Sequence, residues 1–111
     1  MSPNEIIQSA CFEALDFHGE QAQVIQTIEE LNELGVELAK IANNRTQPHK
    51  MQGHKNRLID EVADVTFMIQ QILITFHITD EEVESVILQK AKNLTDRIAR
   101  MRFIQKHGVE P

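Results

Sequence analysis

The sequence predicts an all-α fold, an antiparallel bundle of about four helices that is completed by oligomerisation. Apolar residues recur three and four positions apart through most of the 111 residues, which is the spacing of helices with one buried face. The five aromatic residues are all Phe and only three prolines occur, whereas β-rich folds draw on Tyr, Trp and Thr. Ser2 and Thr79 are each followed three residues later by Glu, the capping box that marks a helix start.

The first two predicted helices cover the N-terminal part of the chain. One begins after Ser2, with Pro3 in its first turn, and ends at about Phe17, shortly before Gly19. Its inward residues are expected to be Ile7, Ala10, Cys11, Ala14 and Phe17. The next spans about residues 20–43. At about 100° per residue, the apolar line expected to face the core comprises Val24, Ile28, Leu31, Leu38 and Ala42.

Residues 43–53 form the one predicted loop, because this segment is polar and contains Pro48 and Gly53. A loop of this length often carries function. Its cations and those just after it either gather a polyphosphate or face solvent; they are Arg45, Lys50, Lys55 and Arg57.

The third predicted helix, about residues 54–77, is the most apolar. Its expected core line is Leu58, Val62, Ile69, Leu73 and Phe76. Apolar side chains lie nearly all round its second half, which is more than a chain of this length covers alone. An interface between copies is therefore predicted through Phe67, Gln70, Gln71 and Ile74. The fourth helix begins after Thr79, with a core stripe of Val83, Ile87, Ala91, Leu94, Ile98 and Met101.

Composition restricts the class of protein. A hydrophobic content of 41% and a charged content of 25% are ordinary for a single globular domain, here residues 1–111. The net charge of −6 argues against a nucleic acid polymer as partner. No stretch approaches the ~20 apolar residues of a membrane span, and the N-terminus lacks a signal-peptide pattern. The single cysteine, Cys11, excludes an internal disulfide, so a cytoplasmic protein without membrane contact is expected.

Two acidic motifs indicate the chemistry. Glu30 and Glu33 share one face of the second predicted helix, and Glu61 and Asp64 repeat the arrangement in the third. If these helices are antiparallel, the pairs meet at one height, and carboxylates so close repel one another unless a cation lies among them. Oxygen ligands of this kind suit Mg²⁺, with Mn²⁺ as a possible substitute. The alternative is a solvated acidic face, which is common in acidic proteins.

With Glu29 included, the motifs read EExxE and, after residues 34–60, ExxD. This pattern resembles the MazG-like all-α nucleoside triphosphate pyrophosphatases, and the resemblance extends over about residues 20–97. It implies a homodimeric or homotetrameric bundle that hydrolyses an NTP or dNTP substrate to the monophosphate and pyrophosphate, by attack of a water that Mg²⁺ activates. The implied catalytic residues are Glu29, Glu30, Glu33, Glu61 and Asp64, of which the last four are metal ligands. Glu29 is implied to orient or deprotonate the attacking water, and the implied phosphate-binding residues are Lys90, Asn93 and Arg97.

Three alternative functions compete with this interpretation. A di-iron protein requires Glu-x-x-His twice, and neither acidic pair is followed by His at that spacing. His49 and His54 suggest zinc, but no further residues complete a zinc site. The remaining alternative is a catalytically silent helical oligomerisation or interaction module, which keeps the bundle but needs no metal.

Overall fold

The computed structural model of the chain describes residues 1–44 and 47–111, except for the side chain of residue 44. The described residues form four helices and no strand, which confirms the all-α prediction. They are α1 (Pro3–His18), α2 (Glu20–Asn44), α3 (Pro48–Thr75) and α4 (Asp80–His107). The chain divides into two compact units, residues 1–77 and residues 78–111. Arg45, one of the predicted loop cations, lies outside the described residues.

Capping residues define the helix starts that the sequence predicts. The Ser2 hydroxyl accepts a hydrogen bond from the backbone N–H of Glu5 at 3.2 Å, and the Thr79 hydroxyl accepts one from the N–H of Glu82 at 3.1 Å. The carboxylate of each glutamate in turn accepts a hydrogen bond from the backbone N–H of its cap residue, so free N–H groups are satisfied at the starts of both helices. Gly19 follows α1 at φ 90°, a backbone conformation that residues with a Cβ rarely adopt.

The start of α3 is earlier than predicted. The helix begins at Pro48 rather than near His54, so most of the predicted loop is helical. Proline suits this position because the first N–H of a helix has no partner within the helix and the ring already holds a helical φ. The prediction read Pro48 as a loop residue when it is a helix start.

The buried face of α2 differs from the predicted apolar line. Gln23, Thr27 and Glu37 are 8%, 6% and 4% exposed, whereas Ile28 and Leu38 are 54% and 48% exposed. Polar side chains are tolerated inside because they find partners: the Thr27 hydroxyl donates to the Gln23 carbonyl at 2.8 Å. The inner residues follow heptad spacing and comprise Gln23, Thr27, Glu30, Leu34, Glu37 and Ile41.

In α3 the buried residues are His54, Val65, Met68 and Gln71. Of the predicted α3 core line, Val62 and Ile69 are 46% and 43% exposed. Gln71 is 1% exposed within the chain and so cannot belong to the predicted interface. The outward apolar line and the inward heptad positions lie side by side on the helix, and periodicity alone does not say which of them finds a partner within the chain.

The packing of α1 is largely as predicted. Cys11 is fully buried, and its Sγ lies 4.0 Å from the carbonyl oxygen of Phe67. Burial raises the pKa of this thiol, as expected for a small structural side chain. Phe17 was predicted to point inward but is 81% exposed, because it lies in the last turn before the break at Gly19.

The second unit consists of α4 and its flanking residues. The helix ends at Gly108, which has the left-handed φ of 72° that is typical of a helix C-terminus. No side chain of α4 is buried. Among the helices of the described chain, none is by itself long and apolar enough to cross a membrane.

Candidate metal centre

Three carboxylates from the two predicted motifs converge. Glu30 and Glu33 on α2 and Glu61 on α3 each offer an oxygen, and these oxygens all lie within 4.8 Å of one another. We call these three residues the acidic cluster. Glu30 and Glu61 are half-buried because they occupy inner positions of their helices, whereas Glu33 is exposed at the rim. The residues of the two motifs therefore meet across α2 and α3.

The electrostatics of the cluster show how crowded these negative charges are. The charge of Glu30 raises the pKa of Glu33, helped by partial burial and by Glu61. Burial is the main reason why the pKa of Glu61 is raised, followed by the charges of Asp64 and Glu30. Burial and the charge of Glu30 also raise the pKa of Asp64, the fourth predicted ligand, which is not among the three residues whose oxygens converge. A cation among them would relieve the repulsion.

The buried oxygens of the cluster fit a metal ion. Glu30 Oε1 accepts a hydrogen bond from Gln26 Nε2 at 2.9 Å, which fixes the carboxylate. Glu30 Oε2 and Glu61 Oε2 are both buried, and neither has a hydrogen-bond partner in the described part of the chain. Buried carboxylate oxygens without partners are costly. A hard divalent cation that takes oxygen ligands, such as Mg²⁺ or Mn²⁺, would supply a partner for such oxygens.

The other predicted site residues lie outside the cluster. Glu29 is exposed on α2, next to Glu30. Lys90, Asn93 and Arg97 are exposed on α4, in the second unit. Asn93 Oδ1 accepts a hydrogen bond from Gln89 Nε2 at 3.0 Å, and Asn93 and Arg97 share a shallow polar depression with Asp96 and Arg100. The roles assigned to these residues stay predictions.

A buried polar network next to the cluster was missed by the sequence reasoning. Glu37 Oε1 accepts a hydrogen bond from Arg57 Nε at 3.1 Å and lies 3.2 Å from His54 Nδ1. Burial works to raise the pKa of Glu37, but its side-chain contacts with His54 and Arg57 outweigh the burial and the pKa is lowered. The position of Glu37 one turn after Glu33 fits a supporting residue and a solvated one equally well. Arg57 was predicted only as one of four cations that either gather a polyphosphate or face solvent.

A mostly apolar groove lies beside Asp64. Its volume is about 520 Å³, within the ~300–1,000 Å³ range of small-molecule pockets. The lining residues are Ile7, Ala63, Asp64, Thr66, Phe67 and Gln70. Asp64 therefore faces both the carboxylates and an apolar hollow large enough for an organic ring.

Comparison with known proteins gives no further information about the site. No family model matches the chain, and neither a curated protein nor a solved structure does.

Proposed function

We propose that this protein is a Mg²⁺-dependent nucleoside triphosphate pyrophosphohydrolase of the MazG-like kind, which converts NTP or dNTP to the monophosphate and pyrophosphate. The observation that supports it most strongly is the pair of buried, unpartnered carboxylate oxygens on Glu30 and Glu61, inside a cluster whose oxygens lie within 4.8 Å of one another. A solvated acidic face has no reason to bury these atoms.

In this proposal Glu30, Glu33, Glu61 and Asp64 hold the metal. When bound, the ion neutralises charge on the triphosphate and lowers the pKa of a water. Glu29, the remaining acid of the motif, orients or deprotonates the attacking water. No covalent intermediate is needed, because no Ser, Cys or His belongs to the cluster.

Further residues are proposed to contact the substrate. Lys90, Asn93 and Arg97 supply phosphate-binding donors from α4. The apolar groove beside Asp64 has the size and lining for the nucleobase or sugar. The helices α2 and α3 run antiparallel, and a homodimer or homotetramer covers the exposed apolar side chains.

A pyrophosphate-release assay tests the proposal. The full chain is incubated with each common NTP and dNTP, with and without Mg²⁺, and melting is followed with Mg²⁺ alone. We expect release of pyrophosphate that requires the metal, together with a metal-induced rise in melting temperature. If no nucleotide is cleaved and the melting temperature does not respond to Mg²⁺, the chain is instead a silent oligomerisation module.

A further inference from the structure

The side chain of Arg57 is held by two buried residues. Its Nε donates to Glu37 Oε1 at 3.1 Å, and its Nη2 donates to His54 Nδ1 at 2.9 Å. Glu37 and His54 are each 4% exposed, so both anchors are fixed by packing. The guanidinium itself stays accessible, since the Arg57 side chain is 53% exposed. The two buried anchors therefore hold the Arg57 guanidinium, with its paired N–H donors, at the surface.

His54 contacts both charged residues of the network through one ring nitrogen. Its Nδ1 lies 2.9 Å from Arg57 Nη2 and 3.2 Å from Glu37 Oε1. His54 is only 4% exposed, so packing fixes the position of this nitrogen. His54 therefore holds Arg57 and Glu37 in a fixed arrangement.

Arg57 retains donors beyond those that its anchors engage. Of its five N–H groups, the Nε–H and one on Nη2 are used, and no described residue accepts from the other three. The guanidinium can therefore bind a further group that carries oxygen acceptors.

The network adjoins the acidic cluster. Glu37 follows Glu33 by four residues on α2, and Arg57 precedes Glu61 by four on α3. Residues four apart on a helix have side chains about 5–6 Å apart. The charge of Glu37 contributes to the raised pKa of Glu61, so the two sets of side chains are electrostatically coupled. One polyphosphate can therefore reach from the cluster to the guanidinium.

We propose that Arg57 binds a phosphate group of the substrate's polyphosphate chain, with Glu37 and His54 as positioning residues. The planar fork suits the paired oxygens of a phosphate, which a single ammonium contacts less specifically. This inference rests on the proposed function, because the metal held by the cluster brings the polyphosphate into range. It adds a phosphate-binding group within residues 1–77, separate from those predicted on α4.

Binding measurements on the full chain test the role of Arg57 without turnover. Mn²⁺ binding is measured first, and calorimetry then follows inorganic tripolyphosphate in the presence of Mn²⁺. Arg57→Ala is expected to leave Mn²⁺ binding unchanged and to weaken tripolyphosphate binding about tenfold to a hundredfold, as for loss of hydrogen bonds to a charged group. Arg57→Lys is expected to recover only part of the loss. Arg102→Ala, an exposed arginine of α4, is the control and should bind as the wild type does.

The positioning role of His54 has its own readout. His54→Leu removes the acceptor and should weaken tripolyphosphate binding at unchanged Mn²⁺ affinity. His54→Asn places an amide oxygen near the position of Nδ1 and should restore most of the binding. A purely structural role predicts instead that both variants change melting temperature and leave tripolyphosphate binding intact.

The outcomes separate this inference from the proposed function. If Arg57→Ala binds tripolyphosphate as tightly as the Arg102→Ala control, Arg57 only neutralises Glu37, and the inference is overturned while the metal site stands. A wild-type chain that binds Mn²⁺ but not tripolyphosphate overturns it too. A wild-type chain that binds no Mn²⁺ refutes the proposed function, and this inference with it.

Discussion

Glu61 is the residue on which the proposed chemistry depends most. Its side chain is half-buried at an inner position of α3, and one of its oxygens has no hydrogen-bond partner in the described chain. Burial and neighbouring acids raise its pKa. A side chain that is this costly to ionise in the folded state is typical of a functional site.

Replacing Glu61 tests the ligand set directly. Glu61→Gln keeps the shape of the side chain and removes its charge, so we expect turnover to be abolished. Mg²⁺ affinity should fall at least as much as the about 10–100-fold that loss of an outer-shell partner costs. Metal-free melting should not fall, since the raised pKa means that the charged form was disfavoured in the fold. The matched control is Asp60→Asn, which removes a neighbouring exposed charge. Unchanged turnover in Glu61→Gln would rule out the assigned ligands.

The raised pKa values also fix the sign of a pH effect. A carboxyl group with a higher pKa in the folded chain binds its proton more tightly when folded. Its contribution to the free energy of unfolding therefore falls as the pH rises from the ordinary value, 4.5 for Glu61, through the raised value. Glu37, whose pKa is lowered, contributes in the opposite direction. The effect of Glu61 is therefore measured as the difference in stability between the wild type and the Glu61→Gln variant.

We therefore expect metal-free wild type and Glu61→Gln to melt alike below pH 4.5. The wild type should become less stable than the variant as the pH rises towards neutrality, because only the wild type ionises at this position. Mg²⁺ should then raise the melting temperature of the wild type alone. Thermal melts at several pH values, with and without Mg²⁺, measure this difference. A difference that stays constant with pH would contradict the assignment.

At the residue scale, the sequence predicted that Glu30, Glu33 and Glu61 come together, but it did not predict the network beside them. Helix geometry places Glu30 and Glu33 on one face, and the expected antiparallel pairing of the two helices brings Glu61 to the same height. The bonds among Glu37, His54 and Arg57 cross from one helix to another. Local spacing carries no information about such partners.

At the scale of single elements, the early start of α3 has a measurable consequence. Gly53 lies within this helix, where glycine costs about 1 kcal/mol relative to alanine. A Cβ added there would lie 3.5 Å from Arg57 Nη1, an ordinary contact. Gly53→Ala should therefore raise the free energy of unfolding by about 0.5–1 kcal/mol, and the melting temperature by a few degrees.

The control for this substitution is Gly19→Ala. Gly19 has a φ of 90°, so an added Cβ strains the backbone and should lower the melting temperature. Calorimetric melts of both variants under one condition give the comparison. If Gly53→Ala lowered stability as Gly19→Ala does, residue 53 would not be helical in solution.

The helices themselves were predictable, but the buried faces predicted for α2, α3 and α4 were not found. Caps and apolar periodicity located α1, α2 and α4 closely, because these signals are local. The predicted apolar line of α2 proved to be exposed at Ile28 and Leu38. Periodicity identifies an amphipathic helix, but it cannot distinguish a face that packs within the chain from a face that packs against another copy.

At the scale of the whole molecule, the exposed apolar side chains bear on assembly. Ile28, Leu31 and Leu38 follow one line along α2 and are 54%, 47% and 48% exposed. A continuous apolar line of this kind is unusual on a monomer surface. It supports the proposed homo-oligomer, and the line is therefore the first place to test for an interface.

A charge placed on this line should break the assembly. Leu38→Glu is expected to shift the chain from dimer or tetramer to monomer, measured by size-exclusion chromatography with light scattering. Val36→Glu introduces the same charge at another exposed apolar residue of α2, about 160° round the helix at ~100° per residue. This control should keep the wild-type mass. A monomeric wild type would refute the proposed homo-oligomer, and equal loss of assembly in both variants would place the interface elsewhere.

The buried polar side chains between α2 and α3 affect how stable the chain can be made. Replacing a buried ionic network with apolar side chains of similar volume often stabilises a protein, by about 1–4 kcal/mol. We therefore expect aliphatic replacement of the two buried members, Glu37 and His54, to give a more stable helix pair that no longer binds polyphosphate. Natural substitutions at these residues that raise the melting temperature would therefore lower the activity. The difference in free energy of unfolding between the aliphatic variant and the wild type then measures how much stability the chain gives up for its chemistry.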